Sequence, residues 1–292
     1  MTVLARNGLS LHFDVRGSGP RVLFIQGCGV GGDGWKPQTD ELAKRHACAT
    51  LDNRGYGRSS ATNDITVRAM TDDVVALLDH LGWESAHVVG HSLGGVIAQQ
   101  LGLDLPRRVR SLSLLCTFVR GKDGAKLTPW MLWKAIAMRV GTRASRRSAF
   151  LAMVMPASAL AGADRAGMAA ELGALFGRDL ADQPGVIMKQ VQALGAHDVS
   201  ARLSELAAIP ALVVSAAEDR VAPPAQGRAL AKAIGTARYV EVEGAAHGVI
   251  LQKPDVINAL LAEHVANVEG ARASALESEG LRDPLHHGHL ER

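Results

Sequence analysis

Two rhythms of apolar and polar positions alternate along this chain. Unbroken apolar runs at Arg21-Val-Leu-Phe-Ile, Ala86-His-Val-Val-Gly, Val109 to Thr117 and Ala211-Leu-Val-Val-Ser215 read as strands buried on both faces. Ala47-Cys-Ala-Thr-Leu-Asp and Tyr239-Val-Glu-Val add two more. Between them, Val67, Met70, Val74, Leu78 and Leu81 recur at steps of three and four, the spacing of one helix face. Further helices are expected from Leu93 to about Leu105, from Pro223-Pro224 onward, and from about Val249 to Val268. Strand and helix in turn predict an α/β fold whose mostly parallel sheet carries helices on both faces. The first residues depart from this. Thr2 to Arg6 and Ser10 to Val15, turned at Asn7-Gly8, carry the signature of an antiparallel hairpin.

The alternation fails from about residue 120 to 205, where the pattern predicts several helices forming a cap over the sheet edge. Residues 1–119 and 206–268 are therefore expected to form the core, and 120–205 the cap. After Gly270 the chain turns polar, so 269–292 is expected to be a loosely ordered tail. A chain of 292 residues suits one sizeable core with such an insertion.

A formal net charge of +3 is too mild to point to nucleic acid as a partner. Cys28, Cys48 and Cys116 are an odd number without CxxC spacing, which argues against a disulfide framework and for a reducing compartment. No basic segment followed by an apolar stretch opens the chain. The longest near-apolar run, Ala149 to Ala163, is broken by Pro156 and falls short of the roughly 20 residues a membrane span needs. A cytoplasmic protein with no membrane partner, monomeric or homodimeric, is the expectation.

Chemistry concentrates at Gly90-His91-Ser92-Leu93-Gly94-Gly95, between a strand and a helix. A serine hydroxyl is a poor nucleophile unless it is held exposed beside a base, and a strained strand-to-helix turn flanked by glycine provides that exposure. In this setting an incidental serine in a glycine-rich turn is the minor alternative. The partners should follow in the order serine, acid, histidine. Strand Ala211 to Ser215 runs into Ala216-Ala-Glu-Asp219, which makes Asp219 the candidate acid and Glu218 the fallback. Gly244-Ala-Ala-His247-Gly248 then supplies the candidate base, set in a loop of small residues. His91, next to the serine, reads as packing for the turn.

A tetrahedral intermediate needs donors for its oxyanion. The backbone N–H of Leu93, at a helix start, is one candidate. The N–H of Cys28, in the loop Gln26-Gly27-Cys28-Gly29-Val30-Gly31-Gly32, is the other. That loop also contains GxGxxG, but no acidic residue closes the next strand in a clean ribose-binding setting, so a dinucleotide cofactor is disfavoured. No cofactor or resident metal is expected. His286, His287 and His289 form a loose histidine tract without a matching ligand set.

Together with Trp35 and Asp52-Asn-Arg54-Gly55-Tyr-Gly57-Arg-Ser59, these motifs resemble the α/β-hydrolase superfamily over roughly residues 8–268. The resemblance is to the branch of small esterases, enol-lactonases, carbon–carbon bond hydrolases and haloperoxidase-like proteins. It implies an eight-stranded α/β-hydrolase sheet with a helical cap, and catalysis by Ser92, His247 and Asp219. Gln26 stands where many relatives carry histidine. Serine in place of aspartate at the turn disfavours dehalogenase and epoxide hydrolase chemistry.

The expected activity is cleavage of a small carboxylic ester or lactone through an acyl-enzyme. Carbon–carbon bond hydrolysis of diketone-like substrates is the rival, and a ligand receptor with little turnover is the non-enzymatic one. Trp130, Met131, Trp133, Phe150, Met153 and Met155 could line an apolar pocket, although such residues at helical spacing are more often core. Residues 120–147 hold eight Lys or Arg against one Asp. Arg139, Arg143 and Arg147 share the spacing of one helical face, which reads as solvated surface, with recognition of an anionic substrate as the alternative.

Overall fold

The computed structural model describes residues 2–126 and 128–280; the histidine tract at 286–289 lies outside them. Eight strands form one sheet in the order β1-β2-β4-β3-β5-β6-β7-β8. Their ranges are β1 Thr2–Arg6, β2 Leu9–Arg16, β3 Arg21–Ile25, β4 Ala47–Leu51, β5 Ala86–His91, β6 Val109–Leu115, β7 Ala211–Ala216 and β8 Arg238–Val242. The pairs β1–β2 and β2–β4 are antiparallel and every other pair is parallel. The hairpin expected at the start is present, its turn made by Asn7 and Gly8 at φ 48° and 75°.

Twelve helices accompany the strands among the described residues. Before β6 lie α1 Lys36–Leu42, α2 Val67–His80 and α3 Leu93–Asp104. The segment between β6 and β7 carries α4 Gly121–Ala125, α5 Pro129–Ala137, α6 Arg143–Val154, α7 Ala157–Leu160, α8 Arg165–Phe176 and α9 Gly185–Ala196. The last three are α10 Pro224–Ile234, α11 Val249–Gln252 and α12 Pro254–Gly280. All six residues of β5 and all six of β7 are buried, as strands covered on both faces must be. Helix α2 starts at Thr66, whose hydroxyl accepts from the Ala69 N–H, and buries Val67, Met70, Val74, Leu77 and Leu78. The sheet and its helices share one hydrophobic cluster. The α6–α8 region has a second around Phe150, Leu151, Leu172, Phe176 and Leu180.

Two expectations need correction. The final helix is not continuous from Val249: Pro254, which has no N–H to donate, ends α11 and opens α12. Nor does order stop near Gly270, because α12 runs to Gly280. One glycine inside a helix costs only about 1 kcal/mol, and Glu269 ties this stretch to the sheet. Its Oε1 lies 3.0 Å from His87 Nε2 and accepts from Arg110 Nη1 at 3.1 Å. No described helix is long and apolar enough to cross a membrane.

Candidate active site

Strand β5 ends at His91 and α3 begins at Leu93, so Ser92 alone makes the reversal, at φ 54° and ψ −117°. A non-glycine residue there carries roughly 1–3 kcal/mol of strain and must be held by its surroundings. The Ser92 N–H donates to the Leu115 carbonyl at 2.9 Å, and its own carbonyl accepts from Gly95 N–H at 3.0 Å and from the Thr117 hydroxyl at 2.7 Å. The flanking glycines are required by close approach: a β-carbon on Gly90 would strike the Gly94 carbonyl, and one on Gly94 the Ile25 carbonyl.

The structure brings the three sequence candidates together. His247 Nε2 lies 3.1 Å from Ser92 Oγ, and His247 Nδ1 lies 2.8 Å from Asp219 Oδ2. The second oxygen of Asp219 accepts from the Val221 and Ala222 N–H groups at 2.8 and 2.9 Å, which fixes the carboxylate plane. Glu218 points into solvent and makes no such contact. His91 packs as expected. Its Nε2 donates to the His247 carbonyl at 2.8 Å, and the two rings lie 4.9 Å apart. Burial, aided by the neighbouring His247, pulls the His91 pKa down to about 3, so His91 stays neutral beside the candidate base.

Val154, at the end of α6, also holds the His247 loop. Its carbonyl accepts from the Gly248 N–H at 2.8 Å and from Gln252 Nε2 at 2.6 Å. Gln252 Oε1 in turn accepts from the Ala246 N–H at 2.8 Å.

The loop after β3 is fixed from several sides. Gln26 Oε1 accepts from the Gly27 N–H at 3.0 Å, and Gln190 Oε1, from α9, accepts from the Gly29 N–H at 2.9 Å. Cys28 lies between those two engaged amides. Burial pushes its thiol up to about 12, which rules it out as a competing thiolate. Asp52 braces the same loop by accepting from the Gly32 N–H at 2.6 Å and from Arg58 N–H and Nε at 2.9 and 3.0 Å. Burial opposes its charge, yet Arg58 holds the carboxyl below the ordinary range. Arg54 forks onto Asp73 at 2.6 and 2.7 Å. Asp52 and Arg58 thus brace the loop after β3, while Arg54 ties the same segment to α2.

Ser92, His247 and Cys28 open into a cavity of about 750 Å³ whose apolar walls include Met131, Phe150, Met153, Leu172, Phe176 and Ile187. Trp130 and Trp133 do not line it, contrary to expectation. Helix α5 turns Met131, Ala135 and Met138 inward. Trp133 is 60% exposed beneath Lys134, and Trp130 stacks with Arg220 in a separate cleft. The arginines at 139, 143 and 147 are also divided. Gly141, at φ 98°, interrupts the helix, and Thr142 caps a new one. Arg139 stays at the cavity, while Arg143 and Arg147 pair with Asp179 on the outside.

Sequence reasoning missed Cys116, at the carboxyl end of β6. Burial first, and then the adjacent Asp219, holds its thiol protonated. Donor atoms of Cys116, His91 and His247 lie within 4.8 Å of one another. They fit hydrogen bonding better than metal ligation, because His91 donates to a carbonyl, both His247 nitrogens are engaged, and Cys116 faces Asp219.

Known proteins share this arrangement of segments. The profile described as alpha/beta hydrolase fold matches residues 20–146, and one described as TAP-like protein matches residues 186–272. RutD of Azorhizobium caulinodans, a candidate carbamate hydrolase, is 32% identical over 256 residues, covering 86% of this chain and 93% of its own. The structure of Est816, an N-acyl homoserine lactone degrading enzyme, superposes with a TM-score of 0.76 at 28% identity, over 90% of this chain and 99% of its own. The enol-lactonase of Burkholderia xenovorans superposes with a TM-score of 0.74 at 26% identity, over 91% and 100%.

Proposed function

The chain belongs to the α/β-hydrolase family, and from that premise we propose that it is a serine hydrolase that cleaves a carboxylic ester or lactone without a cofactor. One observation carries this reading: the unbroken hydrogen-bonded line Ser92–His247–Asp219, opening into an apolar cavity. His247 Nε2 takes the Ser92 proton as Oγ attacks the substrate carbonyl. The N–H groups of Leu93 and Cys28 receive the oxyanion, the first aided by the amino-terminal end of α3. Collapse expels the alcohol, protonated by His247, and leaves Ser92 acylated. Water, deprotonated by His247, then releases the acid and restores the serine. Asp219 holds the imidazole with Nδ1 protonated throughout. Similarity to an enol-lactonase and to an N-acyl homoserine lactone degrading enzyme supports carbonyl substrates of this class.

The test is a panel of p-nitrophenyl esters and lactones with wild type and Ser92→Ala. Wild type should turn over at least one of them and react with a fluorophosphonate probe. Ser92→Ala should lose roughly 10³-fold or more in rate and all labelling while keeping its melting temperature. Labelling that survives in Ser92→Ala would place the nucleophile elsewhere.

A further inference from the structure

The cavity walls are mostly apolar, with glutamines at Gln26, Gln183 and Gln192 and two cationic side chains, Arg139 and Arg178, of which Arg178 lies beside the oxyanion loop. Arg178, just beyond α8, lines the cavity with its guanidinium carbon 5.3 Å from the Phe150 ring centre. Its Nε donates to the Tyr56 hydroxyl at 2.9 Å, and Nη1 donates to the Asp182 carbonyl at 2.6 Å and the Asp179 carbonyl at 3.3 Å. Every one of these partners is uncharged. The two carboxylates nearest in sequence are engaged elsewhere: Asp179 binds Arg143 and Arg147, and Asp182 binds Arg143. Among the described residues no carboxylate lies within ion-pair distance of Arg178, and no aspartate or glutamate lines the cavity.

The remaining nitrogen, Nη2, has no protein acceptor among the described residues and faces the oxyanion loop. A β-carbon built on Gly29, the residue after Cys28, would lie 3.6 Å from it. Arg178 is therefore held by neutral groups in one fixed orientation, with a full charge and a free N–H edge turned toward the reacting end of the cavity. Arg178 is half-buried, and a guanidinium edge with an open N–H forms its stronger hydrogen bonds with an anionic acceptor such as a carboxylate. Arg139, at the exposed mouth, adds a second cation on the way in.

From this geometry we propose that the substrate carries a carboxylate in addition to its ester or lactone group, and that Arg178 binds it. The inference rests on the hydrolase reading above and assigns its substrate class. It also centres the anion site, which the sequence offered as an alternative reading of Arg139, Arg143 and Arg147, on an arginine that no local pattern marks.

The experiment compares the p-nitrophenyl monoester of glutaric acid with p-nitrophenyl pentanoate, which has the same chain length without the charge, and then longer pairs. Wild type should favour the anionic member in kcat/KM, chiefly through KM. Arg178→Gln should reduce the anionic-to-neutral ratio by about 10- to 100-fold, the range of one charge-assisted hydrogen bond. Arg178→Lys, which keeps a point charge but loses the planar fork, should give an intermediate ratio. It tests the same site if Arg178→Gln does not fold. A ratio near one in wild type for every chain length would overturn the proposal, as would a ratio unchanged in the folded variants. Calorimetric titration of Ser92→Ala with glutarate monomethyl ester reads the same site without turnover. Binding that is lost on adding Arg178→Gln supports the carboxylate site even if no ester is hydrolysed; no binding there, with neutral esters still cleaved, overturns the site and leaves the hydrolase standing.

Discussion

Replacing Asp219 by asparagine tests the proposed chemistry with almost no change of shape. In the native site one carboxylate oxygen receives two backbone N–H groups, from Val221 and Ala222, and the other faces His247 Nδ1 at 2.8 Å. An asparagine side chain has one oxygen and one NH₂. The two backbone donors claim the oxygen, so the NH₂ must face Nδ1. The imidazole then becomes an acceptor at Nδ1 and carries its proton on Nε2, directed at Ser92 Oγ, where it cannot serve as base. We expect kcat for a p-nitrophenyl ester to fall by about 10⁴-fold, equivalent to roughly 5.4 kcal/mol of activation free energy. Melting temperature should move little, since both backbone bonds survive. Glu218→Gln is the control, because Glu218 is exposed. Asp219→Asn within tenfold of wild type, or a larger loss in Glu218→Gln, would refute the reasoning.

Three further outcomes follow from the structure. Gly94→Ala should cost more than about 4 kcal/mol and yield little soluble protein, because the new methyl meets the Ile25 carbonyl and no flexible group can yield; a melting temperature near wild type would contradict this. His91 and His87 are both depressed by burial, to about 3 and about 4 from 6.5, so their neutral forms favour the folded state. That contribution is complete above pH 6.5 and is lost as pH falls toward 3, at up to roughly 1.4 kcal/mol per unit for each group; urea midpoints that stay flat from pH 6.5 to 4 would exclude it. Ending the chain after Val268 removes Glu269 from His87 and Arg110, and should lower stability by about 1–3 kcal/mol in the same urea assay. Unchanged midpoints would mean that the last turns of α12 do not brace the sheet.

What the sequence made legible was local. The Ser92 turn announces itself because strand, glycines, serine and helix are contiguous, and chain order alone pointed from it to Asp219 and His247. Helix α5 shows where that logic stops. Its segment Pro129-Trp-Met-Leu-Trp-Lys-Ala-Ile-Ala is apolar nearly all round, so periodicity gives no phase, and the two tryptophans fall on the outer side while Met131 and Ala135 face the cavity. The solvated-surface reading of Arg143 and Arg147 agrees with their exposed pairing to Asp179, but the single face expected for Arg139, Arg143 and Arg147 does not form. Spacing of four implies one face only if the helix is unbroken, and Gly141-Thr142 ends one helix and starts another. Arg178, Gln190 and Cys116 act across long sequence separations on loops they do not adjoin, and nothing beside them in the chain marks them. The run of α12 past Gly270 depends likewise on a tertiary anchor at Glu269.

The bond from Val154 to the His247 loop bears on the base. Val154 belongs to the helices that roof the cavity, yet its carbonyl holds Gly248 and Gln252, one and five residues beyond the base. Any opening of the roof wide enough to admit a bulky substrate at the α6 end must either carry the imidazole loop along or break both bonds. The position of the His247 loop is thereby tied to that of α6, alongside the bonds it receives from Asp219 and His91. Under the proposed chemistry, a displacement of α6 would thus reach the imidazole through two hydrogen bonds, which places the helix among the parts of the chain that set the geometry at Ser92.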